Sequence, residues 1–98
     1  MYAVIRTYSG AGAKELANLL EQKKADVEAT LKTVSGLVSY GLIRSTDGCA
    51  SVTVCHDKAG ADQSSKVAGE WVKKNAVGIT LSPPTVVEGE GILRIMQS

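Results

Sequence analysis

The sequence predicts a single α+β domain over residues 1–98, ordered βαββαβ, with a four-stranded antiparallel sheet and two helices on one of its faces. Three observations carry that prediction. A long hairpin centred on Asp47-Gly48 sits in the middle of the chain, an Asp-Gly pair between two β-rich runs being a strong short-range turn signal. A helical stripe, Leu16, Leu20, Val27, Leu31 and Val34, recurs at offsets of 4, 7, 4 and 3 residues before the hairpin. A second helix-compatible stretch and a last β-rich run follow it. Strand–helix–strand, a hairpin connection, then helix–strand is the split βαβ, or ferredoxin-like, arrangement. Right-handed crossovers then place both helices on the same face of the sheet.

The first strand is Tyr2 to Tyr8, a short β-rich run whose only charge is Arg6. A charged side chain on a central strand needs a partner or a wet cavity. Arg6 therefore either emerges at the strand end, joins an ion pair, or points into a pocket where it holds an anion or a carbonyl oxygen. The connection Ser9-Gly10-Ala11-Gly12-Ala13-Lys14 resembles a phosphate-binding loop but lacks the Walker spacing, and Glu15 stands where a dinucleotide fingerprint needs its third glycine. It reads as a glycine-rich helix start with Ser9 as a possible cap.

The first helix is expected from about residue 12 to 34, ~33 Å long, which would span the sheet. Gly36 suits the left-handed position that ends it. For the hairpin, two registers fit. A two-residue turn at Asp47-Gly48 sets Thr46 opposite Cys49, and a three-residue turn with Gly48 left-handed sets Ser45 opposite Cys49. The second is preferred because it sorts side chains by face. It groups Val38, Tyr40 and Leu42 with Ala50, Val52 and Val54, and groups Ser39, Gly41 and Ile43 with Ser51, Thr53 and Cys55. The second face is small and uncharged, which is unusual for a surface left to solvent, so something is expected to cover it.

The second helix is expected to open at Asp57, as N-cap, or at Lys58, and to end near Asn75, with Ala61, Ser64, Ala68, Trp71 and Val72 on one face. Trp71, the single tryptophan, either plugs the core or walls a ligand cavity. Pro83-Pro84 exclude helix or central strand there. The last strand is expected over Thr85–Met96 with a bulge or bend at Gly89 and Gly91, and Glu88 and Glu90 on one face, exposed to solvent.

Composition excludes several function classes. A net charge of +1 without a basic stripe argues against nucleic acid as a partner. No apolar run approaches the ~20 residues of a membrane span. The chain opens into a strand rather than a signal-peptide pattern, so the expected location is the cytoplasm. Cys49 and Cys55 lie six residues apart on one strand, ~20 Å at ~3.3 Å per residue, beyond disulfide reach. They read as reduced, small apolar residues. Metal binding is not expected, since the one histidine, His56, has only Asp57 and Cys55 as ligating neighbours.

The runs YAVIRTYSG, GLVSYGLIRSTDG, SVTV, DKAGADQSSKVAGEWVKKN and SPPTVVEGE together resemble the dimeric α/β-barrel superfamily, and within it small proteins related to the antibiotic biosynthesis monooxygenase family. The resemblance spans almost the whole chain. It implies a homodimer with a cavity between sheet and helices, no cofactor, and a small organic ligand. Characterised relatives include cofactor-independent monooxygenases, haem-degrading enzymes, isomerases and non-catalytic binders. Related monooxygenases often carry a histidine in the second helix, where this chain has Ser64 and Ser65. Three readings follow: an oxygenase or isomerase acting on a small aromatic or quinone-like compound, a non-catalytic metabolite binder, and a structural dimer. For the enzyme, His56 and Arg6 are the candidate catalytic residues. Tyr40, Trp71, Ser39, Ser51 and Thr53 are the candidate ligand contacts.

Overall fold

A computed structural model describes residues 1–97. Its elements run β1 (Tyr2–Ser9), α1 (Ala13–Gln22), α2 (Lys24–Leu31), β2 (Leu37–Arg44), β3 (Gly48–Cys55), α3 (Lys58–Asn75) and β4 (Thr85–Glu90). The four strands form one antiparallel sheet in the order β2-β3-β1-β4, so β1 and β3 are central and β2 and β4 are edges. This is the ferredoxin-like order that the sequence predicts, with the first crossover carrying two helices instead of one.

The expected continuous helix over residues 12–34 is broken at Lys23, whose backbone leaves helical geometry at φ −110°, ψ 26°. The apolar stripe nevertheless stays on one side of the break, because Leu16, Leu20, Val27, Leu31 and Val34 are all buried. Ser9 does not cap α1. Its N-cap is Gly12, left-handed at φ 78°, with no side-chain cap. Glycine is required there, since a side chain would meet the Thr80 carbonyl. Asp57 does cap α3, accepting from the Gly60 N–H at 2.9 Å. Gly36 takes the expected left-handed conformation at φ 82°.

Neither predicted hairpin register is observed. Ser45 and Gly48 exchange backbone hydrogen bonds around a two-residue loop, Thr46-Asp47, and Arg44 lies opposite Cys49. Gly48 belongs to the strand and is not left-handed. Its hydrogen is needed because a Cβ would run into the Tyr8 carbonyl and the Ala13 methyl. The ladder slips once more at Val38, between Leu37 and Ser39.

That register corrects the face assignment. Tyr40, Leu42 and Arg44 share a face with Cys49, Ser51 and Thr53, and with Tyr2, Val4, Arg6 and Tyr8 of β1. This face lies under the helices. The other face carries Ala3, Ile5, Thr7, Ser39, Gly41, Ile43, Ala50, Val52, Val54 and Val87. None of these is charged. Ile5, Val52, Ile43 and Val87 are 41%, 40%, 58% and 63% exposed, so the uncovered face is far more apolar than the expected Ser39, Ser51 and Thr53 surface. The last strand also ends earlier than expected, at Glu90, with no bulge in its ladder to β1. Among the described residues no helix is long and apolar enough to cross a membrane.

Candidate functional site

The inner face of the sheet is not packed uniformly. Between β1, β2 and β3 below and α1, α2 and α3 above runs a cleft lined by Arg6, Tyr8, Tyr40, Ser51 and Trp71 within a wall of Leu20, Val27, Leu31, Leu42 and Val72. Alternation explains the grouping. Arg6 and Tyr8 are two residues apart on β1, Arg6 faces Ser51 across the ladder, and Ser51 faces Leu42 on β2. Trp71 reaches the same space from α3 and is buried at 7% exposure.

Trp71 also fixes the roof. Its indole N–H donates to the Asp26 carboxylate of α2 at 2.7 Å. The adjoining Asn75 donates from its amide to the Trp71 carbonyl at 2.9 Å and accepts from Lys23 at 3.3 Å. The break between α1 and α2 and the α3 wall are thus tied together by one polar chain.

Arg6 is the one charged residue that lines the cleft. Among the described residues no carboxylate pairs with Arg6 and no acceptor takes a hydrogen bond from it. Burial pushes the Tyr40 phenol up, with the Ser51 hydroxyl and the Arg6 charge pulling weakly the other way. Burial likewise pushes Tyr8 up, against the same Arg6 charge. Both phenols are therefore neutral donors at physiological pH, gathered around one permanent cation. Cys49, also in the wall, is a free thiol raised by burial, which makes it inert rather than nucleophilic.

The enclosed part of the cleft measures about 30 Å³, room for one or two waters. Ligand sites typically offer ~300–1,000 Å³. The volume lies at the β2 edge, where the cleft adjoins an open groove of about 400 Å³ between β2 and α2. Val27, Leu31, Tyr40 and Leu42 line both spaces.

Of the residues singled out from the sequence, the structure brings Arg6, Tyr40, Ser51 and Trp71 to one cleft. Thr53 is buried on the same face, opposite Tyr40, but is outside the cleft wall. Ser39 is exposed, on the other side of β2, and touches only the outer groove. His56 is exposed beyond the end of β3, held by its backbone N–H to the Gly36 carbonyl at 2.9 Å, and is outside the cleft. Tyr8 was missed. The signal was present, since Tyr8 follows Arg6 by two residues and any strand places such a pair on one face.

No protein-family model matches the sequence, and neither does any curated protein. Solved structures do match. The NE2512 protein of unknown function from Nitrosomonas europaea superposes with a TM-score of 0.70 at 16% identity, over 99% of this chain and 93% of its own. A monooxygenase, ActVA-Orf6 of Streptomyces coelicolor, solved with nanaomycin D, gives 0.61 at 22% identity over 99% and 91%. SnoaB, a cofactor-independent oxygenase from Streptomyces nogalater, gives 0.59 at 16% over 98% and 95%. A dimeric ferredoxin-like protein from an uncultured marine organism gives 0.66 at 12% over 98% and 96%. The chain shares the ferredoxin-like fold of these structures. At these identities the likeness is one of fold, and function has to be argued from the site.

Proposed function

We propose that this protein is a homodimer that binds a small, flat, oxygen-bearing aromatic compound, of phenol or quinone type, in the cleft between sheet and helices, and oxygenates it without a cofactor. One observation carries the reading: an unpaired Arg6 on the central strand, aimed into an apolar cleft beside two neutral phenols. Arg6 is half-buried, and a guanidinium drawn partly out of water without a carboxylate gains from an anionic oxygen of a ligand as its partner. Arg6 holds that oxygen, Tyr8 and Tyr40 supply hydrogen bonds, and Trp71 stacks on the ring or closes its edge.

The chemistry follows from the charge. Stabilising the phenolate or enolate form raises electron density on the ring carbon next to the oxygen. That carbon gives its electrons to dioxygen and forms the C–O bond of a hydroperoxide, which loses water to leave a quinone carbonyl. A phenol thus supplies all the electrons; one oxygen atom enters the product and the other leaves as water, while a quinone is bound as product. The fold shared with ActVA-Orf6 and SnoaB supports this reading. Haem degradation fits the residues less well, because no histidine lines the cleft and His56 is outside it. For dimerisation the support is the uncharged outer sheet face, with Ile5, Ile43, Val52 and Val87 left to water, and the fold shared with a dimeric protein.

The single tryptophan provides the assay. Titration with hydroxynaphthoquinones, followed by Trp71 fluorescence, is expected to give saturable quenching that Arg6→Met weakens at least tenfold. Quenching that is absent, or that Arg6→Met leaves unchanged, contradicts the site. A second reading, binding without turnover, is favoured by the lack of any group in the cleft that titrates near neutrality. Dioxygen uptake with a bound phenol distinguishes the two, since only the oxygenase consumes it.

A further inference from the structure

At about 30 Å³ the enclosed cleft holds the oxygen that Arg6 binds and little of the ring behind it. The ring system must therefore extend into the spaces that adjoin the cleft. One is the groove of about 400 Å³ between β2 and α2. The other, about 170 Å³, lies between α1 and the β2–β3 hairpin and shares Leu20, Leu42 and Cys49 with the cleft. Two residues line both outer spaces, Leu42 and Lys24. Leu42 is also in the cleft wall, which sets Lys24 at the mouth, where the three spaces meet.

Nothing in the packing asks for a lysine there. Position 24 is one turn on from Leu20 and one turn before Val27, in line with a stripe that is otherwise leucine and valine. Leu20 and Val27 are buried, whereas Lys24 is exposed. The carboxylates around it already have partners. Glu21 accepts from Arg44 at 2.7 Å and Glu28 from Lys32 at 2.9 Å, each pair lining one of the two outer spaces. Among the described residues Lys24 has no hydrogen-bond or ion-pair partner, in contrast to Lys23, which donates to Asn75. The cleft and its two outer spaces are lined by four cations and two carboxylates, a net +2 in a chain whose whole net charge is +1. The surplus is Arg6 and Lys24.

We propose that the ligand is a hydroxyarene carboxylate: Arg6 holds its ring oxygen in the cleft, and Lys24 holds its carboxylate at the mouth. The inference rests on the cleft reading above and adds the group that selects among such ligands. From β1, which carries Arg6, to β2, which forms the mouth, is two strand spacings, ~9.5 Å. Two fused rings with an oxygen group at each end fit that span. The apolar wall between them, Leu20, Val27 and Leu42, takes the rings. A lysine, a point charge on a flexible stem, suits a carboxylate that stays at the water's edge.

Calorimetric titration of the full chain with 6-hydroxy-2-naphthoate and with 2-naphthol tests the proposal, since the two compounds differ only in the carboxylate. The hydroxynaphthoate should bind roughly fivefold more tightly, the upper range for an ion pair at a solvent-exposed site. Lys24→Met should remove that preference and Lys24→Arg should keep it, while Arg6→Met should weaken both compounds. Equal binding of the two compounds by the unaltered protein, or a preference that survives in Lys24→Met, overturns the Lys24 subsite. Naphthol binding that still depends on Arg6 then leaves the cleft reading standing. If neither compound binds, or if Arg6→Met changes neither affinity, both readings fall.

Discussion

Replacing Trp71 by Phe leaves an aromatic wall in the cleft but removes the N–H that Asp26 accepts. The bond is short, 2.7 Å, partly buried, and made to a carboxylate. Hydrogen bonds to charged groups contribute about 1.5–3 kcal/mol, and partial exposure places this one near the lower end, about 1.5 kcal/mol. The smaller ring adds a packing loss of about 1 kcal/mol in a wall that cannot fully close. Trp71→Phe should therefore cost about 2.5 kcal/mol. At ~4–8 °C per kcal/mol for a domain of this size, that is a fall in Tm of ~10 °C or more. Urea unfolding followed by far-ultraviolet circular dichroism measures it without needing the lost fluorophore. A cycle with Asp26→Ala, which leaves no acceptor for the indole N–H, isolates the bond from the packing, and the expected coupling is about 1.5 kcal/mol. Coupling below about 0.5 kcal/mol would refute the argument that this bond ties α2 to α3 over the cleft, leaving α2 held by apolar contacts alone.

Two further outcomes follow from the same geometry. Gly48→Ala drives a methyl into the Tyr8 carbonyl and the Ala13 side chain and should destabilise by about 1–3 kcal/mol. Gly41→Ala on the neighbouring strand meets nothing within 4 Å and should be neutral or stabilising by up to about 1 kcal/mol in the same urea assay. The pair separates close packing from backbone freedom, since neither glycine has a positive φ. Alkaline pH tests the burial of Tyr8, Tyr40, Cys49 and Cys55, whose pKa values burial raises from ordinary values of 10.0 for the phenols and 9.0 for the thiols. In that range the unfolded chain releases protons that the folded chain retains, so stability is complete below these ordinary values and falls as pH rises through the folded ones. Tyr8→Phe and Tyr40→Phe should each flatten the part of that fall that begins near pH 10, and a pH-independent stability up to pH 11 would contradict the burial.

Element order was legible in the sequence because it rests on local signals: the Leu16–Val34 stripe, the Asp57 cap and the glycine at position 36. The hairpin register was not, and the reason is tertiary. The Asp47-Gly48 pair suggests a turn at the glycine, but Gly48 is spent on the close approach of Tyr8 and Ala13, and the turn moves one step back to Thr46-Asp47. One step is enough to exchange the faces of a strand. It brought Ser51, Tyr40 and Arg6 together, and left Ser39 on the far side with Ile43 and Val52. The break at Lys23 was hidden because both helix halves keep their leucines and valines inward, so the stripe reads as continuous. The last strand stops at Glu90, one rung before the Gly91 N–H bond to the Met1 carbonyl, which no property of residues 92–96 announces. Arg6, the centre of the site, was legible as a residue in need of a partner but not as one without any.

The central claim is that the cleft under the helices, and not the open sheet face, receives an anionic aromatic ligand at Arg6. Amide and side-chain chemical-shift mapping during titration with a hydroxynaphthoquinone addresses it directly. The account predicts saturable shifts concentrated at Arg6, Tyr8, Tyr40, Ser51 and the Trp71 indole, with α2 following from Lys24 to Leu31. Shifts confined to Ile5, Val52 and Val87 on the outer face, or none that saturate, would contradict it.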